Sequence, residues 1–188
     1  GSSLLFYAGW ELIIVGLLCV LFAFLYTTGP YPLSYNGWGD ILVIVFFGFV
    51  PVGGTYYVQA LTWTSDTTVA SLICGLLIDT LLVVNNYRDR EADARSGKRT
   101  VIVRFGEKFG RYLYLMLGMT ASLLCFWFLF EGHLYAALLP LLYLIPHFLT
   151  WKRMVRIHSG KKLNSILGET SRNMLLMGIL LSIGFFLN

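Results

Sequence analysis

Six apolar runs, each close to the length that crosses a bilayer, constrain this chain more than any other feature: Leu4–Tyr26, Ile41–Leu61, Val69–Val84, Tyr112–Phe130, Leu134–Trp151 and Asn173–Leu187. A helix needs roughly 17 to 25 apolar residues to pass a hydrocarbon core of about 30 Å. Strands that cross a membrane alternate polar and apolar residues, whereas these runs are apolar on every side, so they predict a bundle of six transmembrane helices. Composition agrees: 57% of the 188 residues are hydrophobic and 13% charged, against about 25% charge in a soluble domain. The chain reads as one all-α integral membrane domain over residues 1–188, with membrane lipid as its surroundings.

Cys19, Cys74 and Cys125 lie singly inside apolar runs, with no pair spaced for zinc or redox chemistry, and read as small apolar fillers. No basic residue precedes Leu4, and the first run is too long for a signal peptide. If six helices alternate in direction, the connections Thr27–Asp40, Asn85–Arg111 and Lys152–Arg172 share one side of the membrane. All fourteen Lys and Arg residues fall there, eight in the second connection and six in the third. The positive-inside rule makes that side cytoplasmic, so the net charge of +4 reflects topology and needs no nucleic acid to explain it.

The chain gathers its charge in "NNYRDREADARSGKRT", directly after the apolar "LLIDTLLVV". One reading is an ordinary cytoplasmic loop; three features point to a site. Asn85, Asp89 and Asp93 stand at i, i+4 and i+8, with Asn86 three residues before Asp89, so a helix continuing from Val69 carries them as one polar stripe. Two carboxylates one turn apart suit Mg²⁺, which keeps several waters and takes one or two protein carboxylates plus phosphate oxygens. Next, "SGKRT" brings Lys98 and Arg99 just beyond Asp93 after a turn-forming glycine, so acids and bases lie within reach of one polyanion. Arg104, Lys108 and Arg111 either extend that basic group or anchor the next helix at the headgroups. The third feature is Asp79, an acid at membrane depth, seven residues before Asn86 and nearly on its face. It either continues the stripe inward or shares a proton with a buried partner.

Other polar residues carry less. Tyr56, Tyr57 and Gln59 read as an interfacial belt or a substrate contact, and His133, His147 and His158 have no ligand spacing. The turn-rich "YTTGPYPLSYNGWGD" faces the same side as the acids, where a loop can close over a site. A metal and a diphosphate at the mouth of a lipid-lined cavity are what prenyl transfer requires. Metal and bases stabilise the leaving diphosphate while the allylic cation forms away from water.

The stretch "NNYRDREADARSGKRTVIVRFG" resembles the second aspartate-rich motif, NxxDxxxD, of the UbiA superfamily of intramembrane prenyltransferases, with Asn86, Asp89 and Asp93 at its three fixed positions. Its paired Asn and "GKRT…VRFG" continuation look most like the members that prenylate 1,4-dihydroxy-2-naphthoate in menaquinone synthesis. A second stretch, "YTTGPYPLSYNGWGDILVIVFFGFVPVGGTYYVQ", resembles the same family. The resemblance implies that Asp89 and Asp93 bind Mg²⁺ bridging to a polyprenyl diphosphate, with Asn86 in support and Asn85 and Asp79 as further candidates for that role. It implies that Arg88, Lys98 and Arg99 contact the diphosphate, and that the acceptor loses its carboxylate as the prenyl chain is attached. The family is a nine-helix bundle with two acid motifs, and no first motif occurs upstream of Leu25. The expectation is therefore the C-terminal part of such a bundle, without its first three helices and first motif, and inactive alone. A 4-hydroxybenzoate or chlorophyll-type prenyltransferase is the rival within the family. A transporter subunit with Asp79 on an ion path is the rival outside it.

Overall fold

The computed structural model describes residues 8–187, and every described regular element is helical. In chain order these are α1 (Glu11–Thr27), α2 (Gly39–Ala60), α3 (Ser65–Arg95), α4 (Val101–Phe130), α5 (Leu134–Ile157) and α6 (Lys161–Phe186). Among the described residues, five of them, α2 to α6, are long and apolar enough to cross a membrane; the sixth span expected from the sequence is not confirmed. The described part of the first run is α1, whose 17 residues include none that are buried; its expected start, Leu4 to Tyr7, lies outside the described residues. The polar flanks also join helices rather than loops. α3 runs unbroken from Ser65 to Arg95, and α4 begins at Val101, eleven residues before the apolar run it contains.

Local chemistry sets these boundaries. Thr64 caps α3 by accepting a hydrogen bond from the Thr67 N–H, with Asp66 in the first turn and Arg95 in the last, as the helix dipole favours. Beyond Val84 neither Gly nor Pro occurs before Gly97, so nothing stops the helix at the membrane surface. Thr100 caps α4 in the same way through Val103, and helical dihedrals are interrupted at Gly106, separating a short surface turn from the membrane segment. In α2, Ile44–Gly53 is π-helical around Pro51. Proline has no N–H to donate, and a widened turn absorbs the missing bond.

α3 is the central helix, packed against α2 on one side and α4 on the other. Its contact with α2 is backbone to backbone. A Cβ on Gly48 would stand 2.5 Å from the Ser71 carbonyl and 2.7 Å from the Gly75 Cα, so only glycine permits this approach. Large fully buried side chains, Tyr87, Tyr114, Phe128, Tyr143, Met154 and Met177, fill the space among α3 to α6. Polar groups inside are paired across helices: Tyr114 Oη with Thr170 Oγ1 at 3.1 Å, and Asn173 Nδ2 donating to Thr150 Oγ1 at 2.9 Å. Cys125 is buried, and all three cysteines are free.

Cross-helix bonds fix which connections lie together. The turns before α2, between α3 and α4 and between α5 and α6 meet at one end: Arg99 with Tyr35, Arg88 with Asn164, Arg111 with His158. At the other end Trp127 Nε1 donates to Asp66 at 2.9 Å, joining the start of α3 to the end of α4. The bundle therefore has the alternating order read from the sequence, and the connections at the second end, residues 61–64 and 131–133, hold no Lys or Arg.

Candidate active site

Because α3 outlasts its apolar segment by about three turns, its last residues form a polar post, packed against α4 through Glu107 and against α6 through Asn164. Arg88 organises the near side. Its Nε donates to Asp89 Oδ1 at 2.8 Å, Nη2 reaches Asp89 Oδ2 and also Asn85 Oδ1 at 2.8 Å, and Nη1 donates to Asn164 Oδ1 of α6 at 3.0 Å. One guanidinium thus gathers the acid, an amide and the last helix. A turn above, Asp93 is buried to 8% exposure and its Oδ1 lies 3.3 Å from Lys98 Nζ, while the Lys98 N–H donates to the Asp93 carbonyl at 2.9 Å.

The segment between α1 and α2 lies over this post. The Arg99 N–H donates to the Tyr35 carbonyl at 2.7 Å, Arg104 Nη2 to the Asn36 carbonyl at 2.6 Å, and Ser34 Oγ to the Tyr26 carbonyl at 2.6 Å. Lys98 Nζ sits 5.4 Å from the centre of the Tyr35 ring. Gly37, at φ 80°, passes so close that a Cβ would meet the Arg99 carbonyl at 2.9 Å. The loop that the sequence suggests can close over a site is pinned to the turn that carries the bases.

Beneath that roof is a polar cavity of about 420 Å³, walled by Tyr26, Ser34, Tyr35 and Asp40 on one side and Asn85, Asn86, Lys98 and Thr100 on the other. Leu82 and Asn85 also wall an apolar groove of about 450 Å³ between α2, α3 and α6, with Val43, Phe47, Ile78, Leu81 and Leu167. A third space of about 490 Å³, between α1 and α2, shares Tyr26 with the first and Val43 and Phe47 with the second. A polar chamber and a greasy one thus have a wall in common.

Of the residues marked from sequence, Asn85, Asn86 and Lys98 stand on the polar cavity. Asp89 and Asp93 are not among the residues that line it; each is held by a base, Arg88 and Lys98 respectively. The Arg99 side chain is exposed, and its part in the site is the N–H that holds the roof. Asp79 is 1% exposed, and its Oδ1 has no hydrogen-bond partner; it feels the charge of Asp40. Sequence reasoning missed Asp40 and Tyr26. The available signal for Asp40 was an acid placed at the head of an apolar run, on the same side as the stripe. A second polar cluster was also missed. Glu107 accepts from Tyr87 Oη at 2.8 Å and from Arg111, lies 2.6 Å from His158 Nδ1, and meets Arg90 at 3.3 Å. It ties α3, α4 and α5 together beside the site.

A family model described as the UbiA prenyltransferase family matches residues 1–185. This chain belongs to that family. Among UbiA relatives, the 1,4-dihydroxy-2-naphthoate octaprenyltransferase of Haemophilus influenzae is 35% identical over 99% of this chain and 59% of its own length. The protein of the same name in Mycobacterium tuberculosis is 44% identical over 63% of this chain and 40% of its own length. The UbiA prenyltransferase domain-containing protein 1 of Dictyostelium discoideum is 30% identical over 87% and 48%. The chain spans a little under three fifths of the length of the curated relatives it matches over nearly its whole length. No solved structure matches it significantly.

Proposed function

We propose that this UbiA-family chain serves the transfer of a polyprenyl group from polyprenyl diphosphate to 1,4-dihydroxy-2-naphthoate with loss of the acceptor's carboxylate, as an integral protein of the cytoplasmic membrane working at its cytoplasmic face. The observation that carries this reading is the shared wall at Leu82 and Asn85, where a polar cavity meets an apolar groove. A diphosphate head needs the first and an isoprenoid tail the second. The names of the similar relatives favour the naphthoate acceptor, and the lack of Lys and Arg in the connections at the opposite end of the bundle favours the cytoplasmic face.

The donor set is compatible with Mg²⁺. No three His, Cys, Asp or Glu residues converge as a metal cage among the described residues, but Asp89 and Asp93 offer two hard carboxylates, with the Asn86 amide beside them. An ion that completes its shell with water and phosphate needs no more from one helix. When bound there, Mg²⁺ neutralises charge on the diphosphate. Arg88 and Lys98, which pair with the two acids, are the groups placed to turn to the diphosphate oxygens; Arg99 lies further out. The pinned loop over the cavity excludes water from an allylic cation, which water would otherwise capture. The apolar groove holds the chain in one direction, so the reacting carbon lies at the boundary between the two chambers.

The test is product formation in native membranes supplied with dihydroxynaphthoate, a polyprenyl diphosphate and Mg²⁺, with 4-hydroxybenzoate as the competing acceptor. The reading expects prenylated, decarboxylated naphthol from the native protein and a loss of about 10²- to 10³-fold in turnover with Asp89→Ala. Transfer only to 4-hydroxybenzoate, or unchanged turnover in the folded variant, would overturn it.

A further inference from the structure

Two buried carboxyl oxygens have no hydrogen-bond partner: Oδ1 of Asp40, a residue of the polar cavity's wall, and Oδ1 of Asp79, which lies deeper in α3 and does not line the cavity. Buried polar atoms are nearly always satisfied, and an acid at membrane depth is costly unless something meets it. Among the described residues none donates to either oxygen. Asp79 comes from the middle of α3 and Asp40 from the first turn of α2, and the two acids are near enough to interact electrostatically. Tyr26, from α1, completes the corner. Tyr26 lines the cavity, and its hydroxyl is the group that a Cβ on Gly39 would approach at 3.6 Å. Among the described residues, the titratable groups on the cavity wall are Tyr26, Tyr35, Asp40 and Lys98.

Resting on the aromatic-acceptor reading above, we propose that this corner is the acceptor's hydroxyl subsite: Asp40 accepts a hydrogen bond from a ring hydroxyl, and Asp79, acting through Asp40, positions it. The missing partner of an orphaned carboxyl oxygen is a donor, and a phenolic hydroxyl is a strong one. A cavity of about 420 Å³ admits a bicyclic aromatic. The ring is thereby held beside the Leu82–Asn85 boundary, where the prenyl chain's reacting end arrives. The diphosphate head keeps the outer part of the cavity, at Asn86 and at Lys98, the base that pairs with Asp93.

Ligand subtraction tests the subsite. In native membranes, KM is measured for dihydroxynaphthoate and for the polyprenyl diphosphate, and Ki for 1-hydroxy-2-naphthoate and 4-hydroxy-2-naphthoate as competitors of the acceptor. Asp40→Ala is expected to raise the KM of dihydroxynaphthoate about tenfold or more, to leave the KM of the diphosphate unchanged, and to bind one of the two monohydroxy competitors as well as the native protein does. Asp40→Asn, which keeps the shape, provides the same comparison if the alanine variant does not insert, with a smaller rise. Asp79→Asn is expected to raise acceptor KM without moving kcat or diphosphate KM. Equal losses for both substrates, no change in acceptor KM, or equal weakening of both competitors would overturn the subsite. Native protein that prenylates no hydroxylated aromatic would overturn the acceptor reading itself, a different result from any of these.

Discussion

Arg88 is a single side chain on which several distances depend. It holds Asp89 with two nitrogens, Asn85 with one and Asn164 with the third, a fork that lysine cannot reproduce. Arg88→Lys is therefore expected to keep the charge yet lower kcat/KM for the prenyl diphosphate by about tenfold or more, measured in membranes at saturating acceptor. Glu107 makes the complementary case, because its contacts are structural and lie off the cavity. Glu107→Gln leaves Arg90, Arg111 and His158 without their counter-charge, and should lower stability by about 1–3 kcal/mol, read as an earlier thermal transition in detergent, with KM values unmoved. The aspartate stripe was legible in the sequence because helical periodicity is local: Asn85, Asp89 and Asp93 share a face whatever the rest of the chain does. Asp40 was not legible. Its meeting with Asp79 joins positions 39 residues apart, and no local spacing encodes that.

Among the elements, α2 and α3 show how the backbone sets the site. The Gly48–Gly75 contact lets α2 lie close enough to α3 for Asp40 and Phe47 to reach the same two chambers that Leu82 and Asn85 line. Gly75→Ala would put a Cβ 2.9 Å from the Ile44 Cα and carbonyl oxygen. Neither of these backbone atoms can turn aside, so the helices must part. The expected cost is about 1–3 kcal/mol, seen as a lowered melting temperature together with weakened binding of both substrates. Closely spaced glycines were visible in the sequence as a sign of tight helix contacts, but which pair would touch was not. Helix ends were misjudged for a related reason. Apolar length marks where lipid stops, whereas α3 stops only where Gly97 permits a turn, and α4 starts where Thr100 caps it.

For the whole molecule, the distribution of charge and the packing of connections agree on one polar end. The order of crossings was readable because alternation and the Lys and Arg bias are global properties of a membrane chain. Five crossings are long enough among the described residues; the sixth run is represented by α1, with 17 described helical residues, none of them buried. Topology has its own test. Cysteine introduced at Ser96, in the turn at the site's end, should be labelled by an impermeant maleimide in inside-out vesicles only. Cysteine at Thr62, in the opposite connection, should be labelled in right-side-out vesicles only. The reverse pattern would put the cavity on the outer face.

Joined polar and apolar chambers are the physical basis of the account, and a photoreactive prenyl diphosphate tests them most directly. With a diazirine on the isoprenoid tail and Mg²⁺ present, crosslinks mapped by mass spectrometry should fall on Phe47, Ile78, Leu81 or Leu167, the walls of the groove. They should disappear when unlabelled polyprenyl diphosphate is added and in Asp89→Ala. Crosslinks on outward-facing residues such as Ile145 or Leu175, or labelling that no competitor removes, would mean that the tail lies in bulk lipid and that the groove is not its site.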